Sequence, residues 1–109
     1  MMDFLTKLQQ YRRLTRSKNK ALSQLQEDQL RQYRLAVSAS SAIVLPIWER
    51  YGYGRGHYPD GRSSKGRECQ VECRAEELRS YAKLDELRLG YTADRKRIID
   101  EYTKAVIEL

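Results

Sequence analysis

Phenylalanine and tryptophan are scarce in this sequence of 109 residues, which has one of each and in which 33% of residues are charged. A thick globular core needs more such side chains, whereas long helices with narrow apolar stripes need fewer. Such helices often complete their burial by pairing with other chains. The composition therefore favours an all-α protein built from long helices.

Cysteine is also rare, because the chain contains only Cys69 and Cys73, and this excludes a disulfide-rich secreted scaffold. A structural zinc site takes four ligands, commonly from two closely spaced pairs. These two thiols and His57, the only histidine, supply three ligands and one pair. We therefore predict no metal and no cofactor, and we interpret the two cysteines as partly buried structural thiols.

No apolar run is long enough to span a bilayer, which takes about 20 mainly apolar residues in a helix. The longest apolar-biased stretch, Leu35 to Trp48, has 14 residues, including three serines and Pro46. We predict that residues 35–48 form the buried centre of the fold. The first residues carry Asp3 where a signal peptide carries a basic residue, so we expect a cytoplasmic protein that does not contact a membrane.

Glycine and proline are absent between Met1 and Leu45, and this absence predicts one long helix over about residues 4–45. Asp3 is the expected N-cap, and Pro46 is expected to end or kink the helix. One face carries a coiled-coil-like seam that Lys18 and Gln29 interrupt. Its members follow at steps of three and four residues: Phe4, Leu8, Tyr11, Thr15, Leu22, Leu25, Tyr33 and Ala36.

A connecting loop is predicted over about residues 51–67, where five of the six glycines fall and Pro59-Asp60-Gly61 signals a turn. A helical pair is predicted over about residues 68–109, with Gly90 just past the first helix and Thr92 capping the second. The predicted fold is a single all-α domain, 1–109, that forms a long helical hairpin or a small helical bundle. The apolar stripe predicted for the first helix of the pair comprises Val71, Ala75, Leu78, Tyr81, Leu84 and Leu87.

Acidic residues are missing from Phe4 to Gln26, a stretch that holds six basic ones in a chain of net charge +6. A field of one sign attracts polyanions, whereas a solvated helix face usually mixes signs to gain ion pairs four residues apart. The alternative is an ordinary solvated face, as on many long helices. The candidate phosphate contacts on this helix are Arg12, Arg13, Arg16, Lys18 and Lys20.

The loop alternates tyrosines with arginines, and this composition suits single-stranded nucleic acid or RNA. Aromatic rings stack on bases, and arginines reach phosphates or stack in turn. The alternative is a connector whose tyrosines pack back on the helices. The candidate nucleic-acid contacts in and beside the loop are Arg50, Tyr53, Arg55, Tyr58 and Arg62.

No arrangement of residues suggests catalysis, so we predict a binding protein rather than an enzyme. The first hypothesis is a nucleic-acid-associated protein that contacts the phosphate backbone. The alternative is an adaptor, inhibitor or assembly component, for example a viral or mobile-element accessory protein, that docks on an acidic or apolar protein surface. We also predict a homo-oligomer or a larger complex. The candidate protein-interface residues are Leu8, Tyr11, Leu22, Leu25, Ile47 and Trp48.

Overall fold

Two long helices form the protein in the computed structural model, which describes residues 3–109. Helix α1 spans Phe4–Arg50 and helix α2 spans Ser64–Ile107. The helices pack against each other and no strand occurs in the described range, so the prediction of an all-α helical hairpin is confirmed. Neither of these helices contains a stretch long and apolar enough to cross a membrane.

Helix α1 begins as predicted, because the Asp3 carboxylate accepts a hydrogen bond of 2.7 Å from the Thr6 backbone N–H. The same bond holds the pKa of Asp3 below its usual value. The predicted end at Pro46 is wrong, since α1 continues to Arg50. The chain beyond Pro46 is held by Trp48, whose carbonyl accepts the N–H groups of Tyr51 and Tyr53 at 3.0 and 2.9 Å.

The connection between the helices covers residues 51–63, fewer than predicted, because α2 already starts at Ser64. Gly54 and His57 exchange two backbone hydrogen bonds across a two-residue turn in which Arg55 and Gly56 both have positive φ. The predicted turn at Pro59-Asp60-Gly61 is also present. There the Asp60 carboxylate accepts the N–H groups of Arg62 and Ser63.

The N-terminus of α2 depends on a close approach of two backbone segments. The Ser63 hydroxyl caps the helix by accepting the Gly66 N–H at 2.9 Å. A Cβ atom on Gly66 would lie 1.9 Å from the Asp60 carbonyl oxygen, so only glycine fits without displacement of the turn.

Helix α2 does not divide into the predicted helical pair, because it runs through Gly90 without a break. Thr92 is not an N-cap, since its hydroxyl donates to the Arg88 carbonyl one turn earlier at 3.0 Å. One glycine in a helix costs about 1 kcal/mol relative to alanine. Burial on both sides of Gly90, where Leu87 and Tyr91 are half-buried, offsets a cost of that size.

The chain divides into two compact units, each of which contains parts of both helices. Unit 1 comprises Met1–Arg31 and Leu87–Leu109, and unit 2 comprises Gln32–Glu86. Along α1 the half-buried residues include most of the predicted seam, with Phe4 and Tyr11 exposed instead. We call the half-buried set the inner seam of α1: Leu8, Thr15, Lys18, Leu22, Leu25, Gln29, Tyr33 and Ala36.

The apolar centre of unit 2 lies neither at residues 35–48 nor along the stripe predicted for the helix after the loop. Within the described chain only Cys69 and Cys73 are fully buried apolar residues, and Glu76 is buried beside them on α2. Residues 35–48 are not a buried centre, because a pair of helices covers only one face of each. Leu78 and three other members of the stripe predicted for α2 are exposed, so the prediction placed the buried stripe on the wrong face of the helix. The exposed apolar residues concerned are Leu35, Val37, Ile43, Leu45, Val71, Ala75, Leu78 and Tyr81.

Candidate functional site

Four of the predicted phosphate contacts lie together on the side of α1 opposite the inner seam. We call this set, Arg12, Arg13, Arg16 and Lys20, the basic face. All four side chains are exposed. Arg13, Arg16 and Lys20 follow at steps of three and four residues, which align side chains on one face of a helix. No ion pair in residues 3–109 involves any of the four.

Basic residues near the C-terminus of α2 are arranged differently. Lys96 pairs with Asp100 at 3.1 Å, and Arg97 lies 3.6 Å from Asp94 and 3.9 Å from Glu101. Those pairs neutralise the local charge, as the alternating signs of that segment predict. The basic face has no acidic neighbour of this kind, so its positive field extends into solvent without local compensation.

Lys18 is a separate case among the predicted phosphate contacts. It is half-buried on the inner seam, and its ammonium lies 4.4 Å from the centre of the Tyr102 ring. The Tyr102 hydroxyl is 3.0 Å from the Thr15 hydroxyl. Hydrogen bonds to Thr15 and Tyr11 and the charge of Lys18 lower the pKa of Tyr102. Lys18 therefore contributes to packing within unit 1 through a cation–π contact.

The loop tyrosines pack back on unit 2, as the connector interpretation of the loop expects. Tyr53 is half-buried, with the Lys65 ammonium 5.2 Å from its ring centre. Tyr58 is exposed, but its ring meets that of Trp48 edge-on, with ring centres 5.9 Å apart. Each ring thus already has a partner within the chain on one side.

A third tyrosine in the loop is held by an acidic residue of α2. The Tyr51 hydroxyl donates to Glu72 at 2.6 Å, and Arg50 forms an ion pair with the same carboxylate. The bond to Glu72 raises the pKa of Tyr51 to about 12. The bond from Tyr51, followed by that from Arg50, lowers the pKa of Glu72. Among the predicted loop arginines, only Arg55 and Arg62 are exposed with no ion pair in the described chain.

The predicted protein-interface residues lie mostly on surfaces that the chain itself partly covers. Leu8, Leu22 and Leu25 are half-buried on the inner seam, and Ile47 and Trp48 are half-buried in unit 2. Tyr11 is the exception, with 43% of its surface exposed. Their role as an interface stays a prediction.

Sequence reasoning missed two open grooves along the helices of unit 2. The first has a volume of about 240 Å³ and runs beside Trp48, between Val37 and Val44 of α1 and Tyr81 of α2. The second has a volume of about 440 Å³ and lies between Leu35 and Ile43 of α1 and the α2 segment around Lys83. The small residues of α1 between positions 36 and 42 were the available signal, because small side chains leave such grooves open.

The two thiols are both free and fully buried, deeper than predicted. Burial, followed by the neighbouring Cys69, raises the pKa of the Cys73 thiol. Within the part of the chain that the structure describes, no three side chains of the types His, Cys, Asp or Glu gather to form a metal site.

Comparison with family models, with curated proteins and with solved structures finds no match to this chain. The geometry of the chain alone therefore supports the proposals below.

Proposed function

We propose that this protein binds nucleic acid through the phosphate backbone, using the basic face of α1. The observation that carries the proposal is the exposure of Arg12, Arg13, Arg16 and Lys20 in a stretch without acidic residues. The first and last of these residues are eight steps apart, which is about 12 Å along the helix axis. Duplex DNA carries one charge per about 1.7 Å of its axis, so several phosphates lie within reach of this length.

The contacts proposed here are independent of base sequence. Arginine and lysine side chains that neutralise phosphates release counterions, and affinity then falls as salt rises. Phosphate contacts fix the position of a protein on nucleic acid but carry no sequence information directly. The expected activity is therefore binding of nucleic acid with little preference among sequences.

The test is a salt titration of binding to labelled duplex DNA, single-stranded DNA and RNA, followed by fluorescence anisotropy. Replacement of Arg13, Arg16 and Lys20 with Gln keeps helix propensity and removes three charges. We expect weaker binding to every sequence and a salt slope flatter by roughly one unit per lost contact.

A matched control removes the same charge elsewhere. The variant Lys83→Gln/Lys96→Gln/Arg97→Gln also lowers the net charge by three, but it changes residues that already have acidic partners. We expect it to keep most of the affinity and the parental salt slope. If the two triple variants weaken binding equally, total charge rather than the basic face governs binding.

An adaptor that binds another protein is the second candidate, and the groove beside Trp48 supports it. Val37, Leu45 and Tyr81 are about half exposed or more along this groove, and exposed apolar residues that line a groove are typical of protein-binding surfaces. Absence of binding to all three nucleic acids at low salt would remove the first proposal and leave this one. Leu45→Glu should then abolish partner binding while helicity is retained.

A further inference from the structure

Helix α2 carries a second apolar stripe on the side that faces away from α1. We call Val71, Ala75, Leu78 and Ala82 the outer stripe. They follow at steps of four, three and four residues, the spacing of a coiled-coil contact face. All four are exposed, with 72% of Val71 and 56% of Leu78 open to solvent. The whole stripe lies within unit 2.

We propose that a second copy of this chain covers the outer stripe, with its α2 running antiparallel to the first. Antiparallel pairing places Val71 opposite the partner's Ala82 and Ala75 opposite the partner's Leu78. Every layer then joins a large side chain to a small one, which fills space evenly. Parallel pairing would put alanine opposite alanine in two of four layers and leave gaps there.

The charges beside the stripe select the same orientation. One edge carries Lys65, Glu72, Arg79 and Glu86 at intervals of seven residues. In the antiparallel register, Lys65 lies next to the partner's Glu86, and Glu72 lies next to the partner's Arg79. All four contacts on this edge therefore join opposite charges, an arrangement that fixes partner and orientation in helix pairs.

Parallel pairing has less of this complementarity, since it joins one edge of the stripe to the opposite edge of the partner, and only one contact then joins opposite charges, that of Arg67 with the partner's Glu72. The opposite edge carries Arg67, Arg74, Tyr81 and Arg88 at the same interval, and in the antiparallel register Arg67 lies beside the partner's Arg88, a contact between like charges. In parallel pairing, Arg74 would face the partner's Arg79, which places like charges together. In the antiparallel register, Arg74 instead lies beside the partner's Tyr81, where a cation–π contact is available.

Of the four groups that supply these charges, Lys65, Arg79 and Glu86 are exposed in the single chain, whereas Glu72 already binds Tyr51 and Arg50 and has 39% of its side chain exposed. The side chains of Arg79 and Glu86 are 72% and 73% exposed, although each has an ion-pair partner within α2. The apolar contact is short, because Glu68 and Asp85 occupy the next positions of the stripe at its two ends. A contact of four layers is small for a stable interface, so the dimer forms at micromolar concentrations rather than at nanomolar ones.

Disulfide trapping tests the partner and the register together. Val71→Cys and Ala82→Cys are made in separate chains, which are then mixed under mild oxidation. In an antiparallel dimer of Val71→Cys alone, the two introduced cysteines would be offset by eleven residues, about 16 Å along the helix axis. Two cysteines whose Cα atoms are more than about 7 Å apart cannot form a disulfide without backbone movement.

We expect a cross-linked dimer in the mixture and none with either variant alone. The wild-type chain is the control for Cys69 and Cys73, which are buried. A cross-link in Val71→Cys alone indicates parallel pairing and overturns the proposed register. No cross-link in any sample overturns the proposal as a whole.

Sedimentation equilibrium supplies a second test that does not depend on cysteine chemistry. We expect the wild-type chain to shift from monomer to dimer between about 1 and 100 µM, the range of weak interfaces. Leu78→Glu should remain monomeric with unchanged helicity, since Leu78 is exposed in the single chain. The matched control is Leu35→Glu on α1, where the leucine is 58% exposed, and this variant should still dimerise. Dimerisation of Leu78→Glu at the wild-type concentration, or a wild-type chain that stays monomeric, contradicts the proposal.

Discussion

Replacement of either of two glycines in α2 with alanine should change stability in opposite directions. Both Gly66 and Gly90 lie within the helix, where alanine gains about 1 kcal/mol of helix propensity over glycine. A Cβ atom on Gly90 meets nothing within 4 Å, so Gly90→Ala should raise the free energy of unfolding by about 1 kcal/mol.

The same substitution at Gly66 meets the Asp60 carbonyl oxygen at 1.9 Å, where ordinary contact begins at 3.4 Å. The turn must therefore retreat by about 1.5 Å, and overpacking of this kind costs about 1–3 kcal/mol. The added atom also lies 2.9 Å from the Ser63 hydroxyl that caps the helix, and loss of such a cap costs about 1 kcal/mol. After the gain in helix propensity, we expect Gly66→Ala to lower the free energy of unfolding by about 1–3 kcal/mol.

Urea denaturation measures both variants at one low protein concentration. Trp48 is the only tryptophan, and it packs against Tyr58 in the same connection as the Asp60 turn, so its fluorescence reports the unfolding of unit 2. Far-UV circular dichroism reports the helices of the whole chain. If Gly66→Ala gains as much stability as Gly90→Ala, the close approach of the turn to α2 is wrong.

Three further predictions follow from side chains that already have partners within the chain. Lys18→Gln should lower the free energy of unfolding by about 0.5–1 kcal/mol through loss of the contact with Tyr102, and it should leave nucleic-acid affinity unchanged. Lys20→Gln should instead weaken nucleic-acid binding and leave the free energy of unfolding unchanged. In an ultraviolet pH titration, one tyrosine should ionise only near pH 12 and should return to about pH 10 in Glu72→Ala. Because the pKa of Tyr51 is raised on folding, the stability from this bond is complete below pH 10 and is lost as the pH rises through 12. An aromatic disulfide reagent should react with Cys69 and Cys73 in urea but not in the folded protein, and immediate reaction of the folded protein would contradict their burial.

The periodicity of α1 was strong enough to predict most of its inner face. Leu8, Leu22 and Leu25 are half-buried where the seam places them, and even the interruptions at Lys18 and Gln29 lie on that face. The sequence left open whether this face packs against the rest of the same chain, as in the predicted hairpin, or against another chain. Periodicity identifies a face that needs a partner, but it does not distinguish a second helix of the same chain from a helix of another chain.

Local breaking signals were given too much weight at two places. Pro46 and Gly90 each cost a helix free energy, and from sequence each marked a helix end. Both helices continue through these positions, because tertiary contacts on the far side hold the backbone. Trp48 supplies them beyond Pro46, and Tyr91 is half-buried beyond Gly90. By contrast, the N-cap at Asp3 and the turn at Pro59-Asp60-Gly61 were predicted correctly, since in both places a short acceptor side chain satisfies its own backbone neighbours without help from distant residues.

Hydropathy could not predict which face of α2 is buried, because the helix has two candidate stripes. The more apolar one contains Val71 and Leu78 and lies outside, whereas the buried one contains Cys69, Cys73 and Glu76. The buried stripe is chosen by geometry near the N-terminus of α2. Gly66 must face the Asp60 turn, and each step of three or four residues from Gly66 leads to Cys69, Cys73 and Glu76 in order.

This choice leaves valine and leucine in water on the far side of the same helix. Exposed apolar side chains are common one at a time, but a row at coiled-coil spacing is not explained by chance exposure alone. On one edge of the row, acidic and basic residues alternate in the order that an antiparallel copy of the same helix would match. The stripe with Val71, Ala75 and Leu78 was wrongly predicted to be the buried face of α2. It is the same stripe that a second copy of the chain is proposed to cover.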